Sequence, residues 1–128
     1  MREIKFRAWD YTSNVMRNDI TEMVFNSDGT LNQIDVETGA DILFPEKECV
    51  LMQYTGLKDK NGVEIYEGDI VEDNASRYKV IYHMDGFYLH NTYTPEDMLL
   101  QLRHGNLLST VIGNIYENPG LLKALEEV

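Results

Sequence analysis

The residues whose types could carry chemistry are few. The histidines are His83, His90 and His104, and the single cysteine is Cys49. None of them falls into an HExxH or Cys–His spacing. His83 and His90 flank Asp85-Gly86. If those two residues form a hairpin turn, the two imidazoles share a face diagonally, with Cβ atoms roughly 7 Å apart. A two-histidine metal site with an acid from elsewhere would fit that placement. A solvated hairpin face fits it more simply, because two ligands without a third make a poor site. No cofactor is expected, and no metal is assigned. A reactive thiol needs a base or a positive environment. Cys49 has Glu46, Lys47 and Glu48 beside it, so a core or near-surface thiol is expected.

Glu64, Glu67, Asp69, Glu72 and Asp73 form an acidic run. Two of them could pair as acid and base or hold Mg²⁺. A solvated hairpin rim explains them with less, and Asp69 after Gly68 reads as a turn residue bonding its own backbone. The loop from Gly56 to Gly62 is not a P-loop, because it lacks the glycine-lysine-serine/threonine ending before a helix. Trp9 with Lys5 and Arg7 is the remaining candidate, a basic strand whose indole could stack a base. The competing reading is a packed strand tryptophan with a solvated basic pair. No nucleophile, base and orienting group can be placed together, so the chain is expected not to be an enzyme.

The elements that position these residues are mostly strands. The 128 residues suffice for one ordinary domain, and 43% hydrophobic content is too high for disorder. No apolar run approaches the roughly 18 residues a membrane helix needs. The first ten residues lack an apolar core, so no secretory leader is expected. One cysteine excludes an intramolecular disulfide and suits a reducing cytoplasm. Asp plus Glu is 22 against 11 Lys plus Arg, a formal charge of −11. That balance repels phosphates and favours basic partners.

Alternation places strands at Ile4–Ala8, Ile20–Phe25 and Leu31–Val36, with Ile4, Phe6 and Ala8 on one face and Lys5, Arg7 and Trp9 on the other. Asn26-Ser27-Asp28-Gly29 reads as a turn. Val50, Met52 and Tyr54 mark a central strand, followed by an Asn61-Gly62 turn pair and the strands Val63–Tyr66 and Ile70–Val71. Residues 77–84 and 87–93 form a hairpin around Asp85-Gly86, with Tyr82 opposite Leu89. Tyr82, Met84, Phe87 and Leu89 are expected inward. Thr94-Pro95-Glu96-Asp97 carries cap, first-turn and dipole signals for a helix near 95–104. Asn118-Pro119 opens another near 119–127. The expected fold is mainly β: an N-terminal β unit over 1–49, then a small barrel-like, SH3-like sheet with two short helices over 50–128, together one globular unit.

Three blocks give the chain a family resemblance. They are Lys5-Phe6-Arg7-Ala8-Trp9-Asp10, the long run from Gln53 through Gly62 to Val71, and Val111-Ile112-Gly113-Asn114-Ile115-Tyr116-Glu117-Asn118-Pro119. In this order they resemble the YopX family of phage and prophage proteins. Val63 stands where the family favours a basic residue, and Gly120 where glycine is unusual. The resemblance implies a phage or prophage origin and a compact β fold with barrel character toward the C-terminus. It brings no catalytic residues. The expected function is that of a non-enzymatic accessory protein in the bacterial cytoplasm, acting through a protein partner or as a homo-oligomer. An acidic decoy for a host protein is one variant. The alternative is a nucleic-acid-binding β-barrel module using the N-terminal basic strand.

Overall fold

A computed structural model describes residues 3–37, 42–73, 76–83, 86–91, 98–99 and 109–122. The chain is mainly β, and it divides into two compact units, Lys5–Gln53 and Tyr54–Val128 with Met1–Ile4.

In the unit Lys5–Gln53, β1 (Phe6–Asp10) pairs with β2 (Val15–Arg17) on one side and with the first half of β6 (Cys49–Lys58) on the other. In-plane pairing leaves both faces of a strand open, so the burial of successive residues here means that the strand is covered on both faces. Arg7, Ala8, Trp9 and Asp10 are all buried, which corrects the expectation of Arg7 as one of a solvated basic pair. The β1–β2 turn is tied by the Asp10 carboxylate, which accepts the Thr12 N–H at 2.9 Å and the Thr12 and Ser13 hydroxyls at 2.7 and 2.8 Å. A separate sheet runs in the order β3 (Ile20–Phe25), β4 (Leu31–Val36), β5 (Ile42–Leu43). Gly29, at φ 90°, closes the β3–β4 loop by donating to the Asn26 carbonyl at 3.0 Å. The core joins Ala8, Ile34, Val36, Leu43 and Cys49, with Ile20, Met23, Leu31 and Leu51 packed against it.

In the second unit, the other half of β6 pairs with β7 (Glu64–Tyr66). A curled antiparallel sheet holds β8 (Asp69–Asp73), β9 (Ser76–His83), β10 (Gly86–His90), β11 (Met98–Leu99) and β12 (Thr110–Asn114), in the order β11-β10-β9-β8-β12. Its core is Leu57, Ile65, Val71, Val80 and Phe87, lined by Tyr78, Leu89 and Val111.

Three expectations change here: a helix, a register and a turn. Met98 and Leu99 are strand, paired with Leu89 and Tyr88, where the capping signals point to a helix. Those signals are local, and the open edge of β10 supplies backbone partners that outweigh them. The rest of 95–104 lies outside the described residues. The terminal helix is seen at 120–122, and its continuation to 127 also lies outside them. The β9–β10 ladder sets His83 opposite Gly86 and Tyr82 opposite Phe87, two residues away from the expected register. A two-residue shift keeps every side chain on its face. Phe87 is therefore buried as expected, and Val80 is buried with it. Tyr82, at the open end, is 53% exposed, with its ring edge-on to Phe87 at 5.1 Å. The expectations for Met84 and Asp85 fall on undescribed residues. Finally, Asn61-Gly62 is not a two-residue turn with both φ positive. Only Gly62 has positive φ, at 83°. Lys60, Asn61 and Gly62 form a three-residue loop between Asp59 and Val63, closed by Asp59 N–H to Val63 O at 2.8 Å and Gly62 N–H to Asp59 O at 3.0 Å.

Candidate functional site

The structure separates the residues that sequence reading brought together. Arg7 and Trp9 lie in the middle of β1, each 8% exposed, and Lys5 is half-buried before it. A base-stacking platform needs an open ring face, which Trp9 does not offer. His83 and His90 do share a face. In the observed ladder, though, His83 is opposite Gly86, four residues before His90, so the two imidazoles start roughly 13 Å apart by strand rise. That span is too long for one ion. Among the described residues, no group of three or more His, Cys, Asp or Glu is placed to hold a metal. The Cys49 thiol is buried in the core of its unit. Burial, followed by the negative charges of Asp10 and Glu48, pushes it up to about 11, so it stays protonated near neutral pH. The acidic run is dispersed. Asp69 is buried and accepts the Tyr66 N–H at 2.8 Å, closing the Glu67-Gly68 turn, and Glu72 pairs with Arg77 at 3.0 Å.

The polar residues that do converge are others, and they build turns. Asp59 is 1% exposed. Its Oδ1 accepts the N–H groups of Asn61 and Val63 at 2.8 and 2.9 Å, and its Oδ2 accepts that of Val111 at 2.9 Å. Burial works against this carboxylate. The three N–H donors and the nearby Lys60 more than offset burial, and its pKa lies below the ordinary value. One side chain thus ties the β6–β7 loop to β12. The Thr55 hydroxyl donates to the Ile65 carbonyl at 2.7 Å and accepts the Leu57 N–H at 3.1 Å, spanning the irregularity where Gly56 takes φ 87°. After β12, Asn114 Oδ1 accepts the N–H groups of Tyr116 and Glu117 at 3.0 and 2.8 Å. The Asn114 N–H in turn donates to Asn118 Oδ1 at 3.2 Å. Gly113 is required beside them, because an added Cβ would lie 2.5 Å from Asn118 Oδ1 and 2.9 Å from Leu121 Cδ1. In the sequence these residues stand only as motif positions, and their turn-building role does not show directly. The available signal was Asp or Asn set two to four residues before glycine or another turn residue.

The described residues of the unit Lys5–Gln53 also form an open feature. A shallow groove of about 350 Å³ is lined by Asn32, Phe44, Pro45 and Lys47. It forms where β5 ends: Leu43 is the last residue paired with β4, and the chain then turns through residues 44–48. Glu48 N–H donates to Phe44 O and Glu46 N–H to Cys49 O, each at 2.9 Å. Glu46 adopts φ 71°, a left-handed conformation that costs a non-glycine residue about 1 kcal/mol. Phe44 is 42% exposed at the groove, and Ile42, two residues before it, is also exposed. The lining can receive an apolar side chain and offers one amide and one ammonium. It contains no acid–base pair.

No curated protein matches the chain. Among solved structures it is similar to protein EF1440 from Enterococcus faecalis, with a TM-score of 0.68 and 31% identity, covering 95% of this chain and 99% of that one. The family model described as YopX protein matches residues 5–123, a span that includes the Asp10, Asp59 and Asn114 turns, and the chain belongs to the YopX family.

Proposed function

We propose that this YopX-family chain is a non-enzymatic phage or prophage accessory protein, acting in the bacterial cytoplasm through contacts with another protein. The observation that carries this reading is the use made of the polar residues in its motif blocks. Asp10, Thr55, Asp59, Asp69 and Asn114 spend their side-chain acceptors on backbone turns or neighbouring hydroxyls, so the blocks specify architecture rather than a reaction centre. The contact surface in this reading is the groove at Phe44, Pro45, Lys47 and Asn32. Its occupant is a protein segment with an apolar side chain set against Phe44 and Pro45. An aromatic ring and a proline at a groove favour such a side chain over a sugar-phosphate backbone.

The test is affinity capture from phage-bearing cells with the intact chain and with Phe44→Asp, both checked for folding by circular dichroism. The expected result is a partner held by the native chain and lost by the variant. Equal retention by both would remove the groove from the reading. A chain that captures nothing yet shows turnover, or binds nucleic acid at physiological salt, would overturn the reading as a whole.

A further inference from the structure

Asn61-Gly62 is the one Asn-Gly pair in the sequence, and both residues are exposed at the tip of the β6–β7 loop. Glycine after asparagine leaves the next backbone nitrogen sterically open to the asparagine side chain. We infer that Asn61 is a spontaneous deamidation site and that the hydrogen bonds to Asp59 hold its rate down in the folded chain. The reaction needs only water. The Gly62 nitrogen gives up its proton to solvent and attacks Asn61 Cγ. The Cγ–Nδ2 bond breaks, the leaving NH₂ group takes a proton from solvent, and ammonia departs from a five-membered succinimide. Water then opens the ring. Hydrolysis at the side-chain carbonyl gives aspartate, and hydrolysis at the backbone carbonyl gives isoaspartate.

The loop geometry opposes ring closure. The attacking nitrogen is engaged, because Gly62 N–H donates to Asp59 O at 3.0 Å. The residues on both sides are pinned by the same aspartate, whose Oδ1 receives the N–H groups of Asn61 and Val63 at 2.8 and 2.9 Å. To reach Asn61 Cγ, the Gly62 nitrogen must rotate away from the Asp59 carbonyl and break this set. If isoaspartate forms, it adds a methylene to the main chain of a three-residue loop. The carboxylate that also receives Val111 N–H then loses its frame, so the modification would loosen the tie to β12.

The experiment incubates the full chain at mildly alkaline pH and follows isoaspartate and aspartate at position 61 by peptide mapping. It compares the folded native chain, the same chain unfolded in urea, and folded Asp59→Asn. Formation at Asn61 is expected to be several-fold faster in the unfolded chain and in the variant than in the folded native chain. Absence of product at Asn61 in urea, or equal rates in folded and unfolded native chain, overturns the proposal. A folded variant as slow as the native chain removes Asp59 from it. If the variant does not fold, exchange of the Gly62 amide in the native chain decides the role of Asp59. Slow exchange supports the guard, and exchange as fast as an unstructured peptide's refutes it.

Discussion

The Asp59 carboxylate receives N–H groups from Asn61 in its own loop, from Val63 just before β7 and from Val111 of β12. Asparagine at this position keeps one acceptor oxygen, but it turns an amide N–H₂ toward backbone donors that need an acceptor. Asp59→Asn is expected to cost about 3 kcal/mol in chemical denaturation at neutral pH, the scale of charge-assisted bonds lost with donors left buried. The pH dependence has a fixed sign. The folded chain holds this pKa below the ordinary 3.8, so its stabilisation is complete above that value and is lost as pH falls through the folded pKa. The native chain should therefore lose stability below about pH 4 more steeply than the variant. Parallel acid slopes would show that Asp59 does not carry the effect. Gly113 poses the steric counterpart. Gly113→Ala sets a methyl 2.5 Å from Asn118 Oδ1, and a loss of about 1–3 kcal/mol is expected from overpacking at a turn held on both sides. An alanine variant with an unchanged thermal midpoint would contradict that geometry.

At the scale of elements, the strands were legible wherever alternation had a buried face to report. Ile20–Phe25, Leu31–Val36 and the long strand through Met52 and Tyr54 sit where their patterns place them. The same alternation failed at β1. This strand is covered on both faces, so Arg7 and Asp10 are buried as well as Ala8, and sequence carries no sign of packing partners distant along the chain. Met98 and Leu99 fail for a related reason, since helix caps are local and strand pairing is not. For the β9–β10 hairpin, the pattern fixed the faces and left the register free by two residues. The burial along the shared face is measurable. Val80 is fully buried, so Val80→Ala is expected to cost about 2 kcal/mol through lost burial and a residual cavity. Tyr82→Ala, at an exposed ladder end, should cost under about 1 kcal/mol, chiefly through its contact with Phe87. The opposite ranking in urea unfolding would put Tyr82 inside, against its exposure at this end of the ladder. The groove was not legible, because Asn32 and Lys47 meet only through the ending of β5 and the turn after it.

For the molecule as a whole, charge discriminates among partners more sharply than any single site. The formal charge is −11, and phosphate binding draws its free energy from cations that displace condensed counterions. Among the described residues the arginines are committed elsewhere. Arg17 is held by Asp19 at 2.8 Å, Arg77 by Glu72 at 3.0 Å and by the Leu121 carbonyl at 2.9 Å, and Arg7 is buried. Freeing one for a phosphate means breaking an existing ion pair or unpacking β1. Each nucleotide approaching the chain also meets net repulsion that salt screens only beyond about 8 Å at physiological ionic strength. Labelled single- and double-stranded DNA and RNA are therefore expected to show no saturable anisotropy change at micromolar chain concentration in physiological salt. Any residual signal at low salt should vanish steeply as salt is added. Affinity that persists at physiological salt, and that falls on Lys5→Glu but not on Phe44→Asp, would move the functional surface from the groove to the first strand.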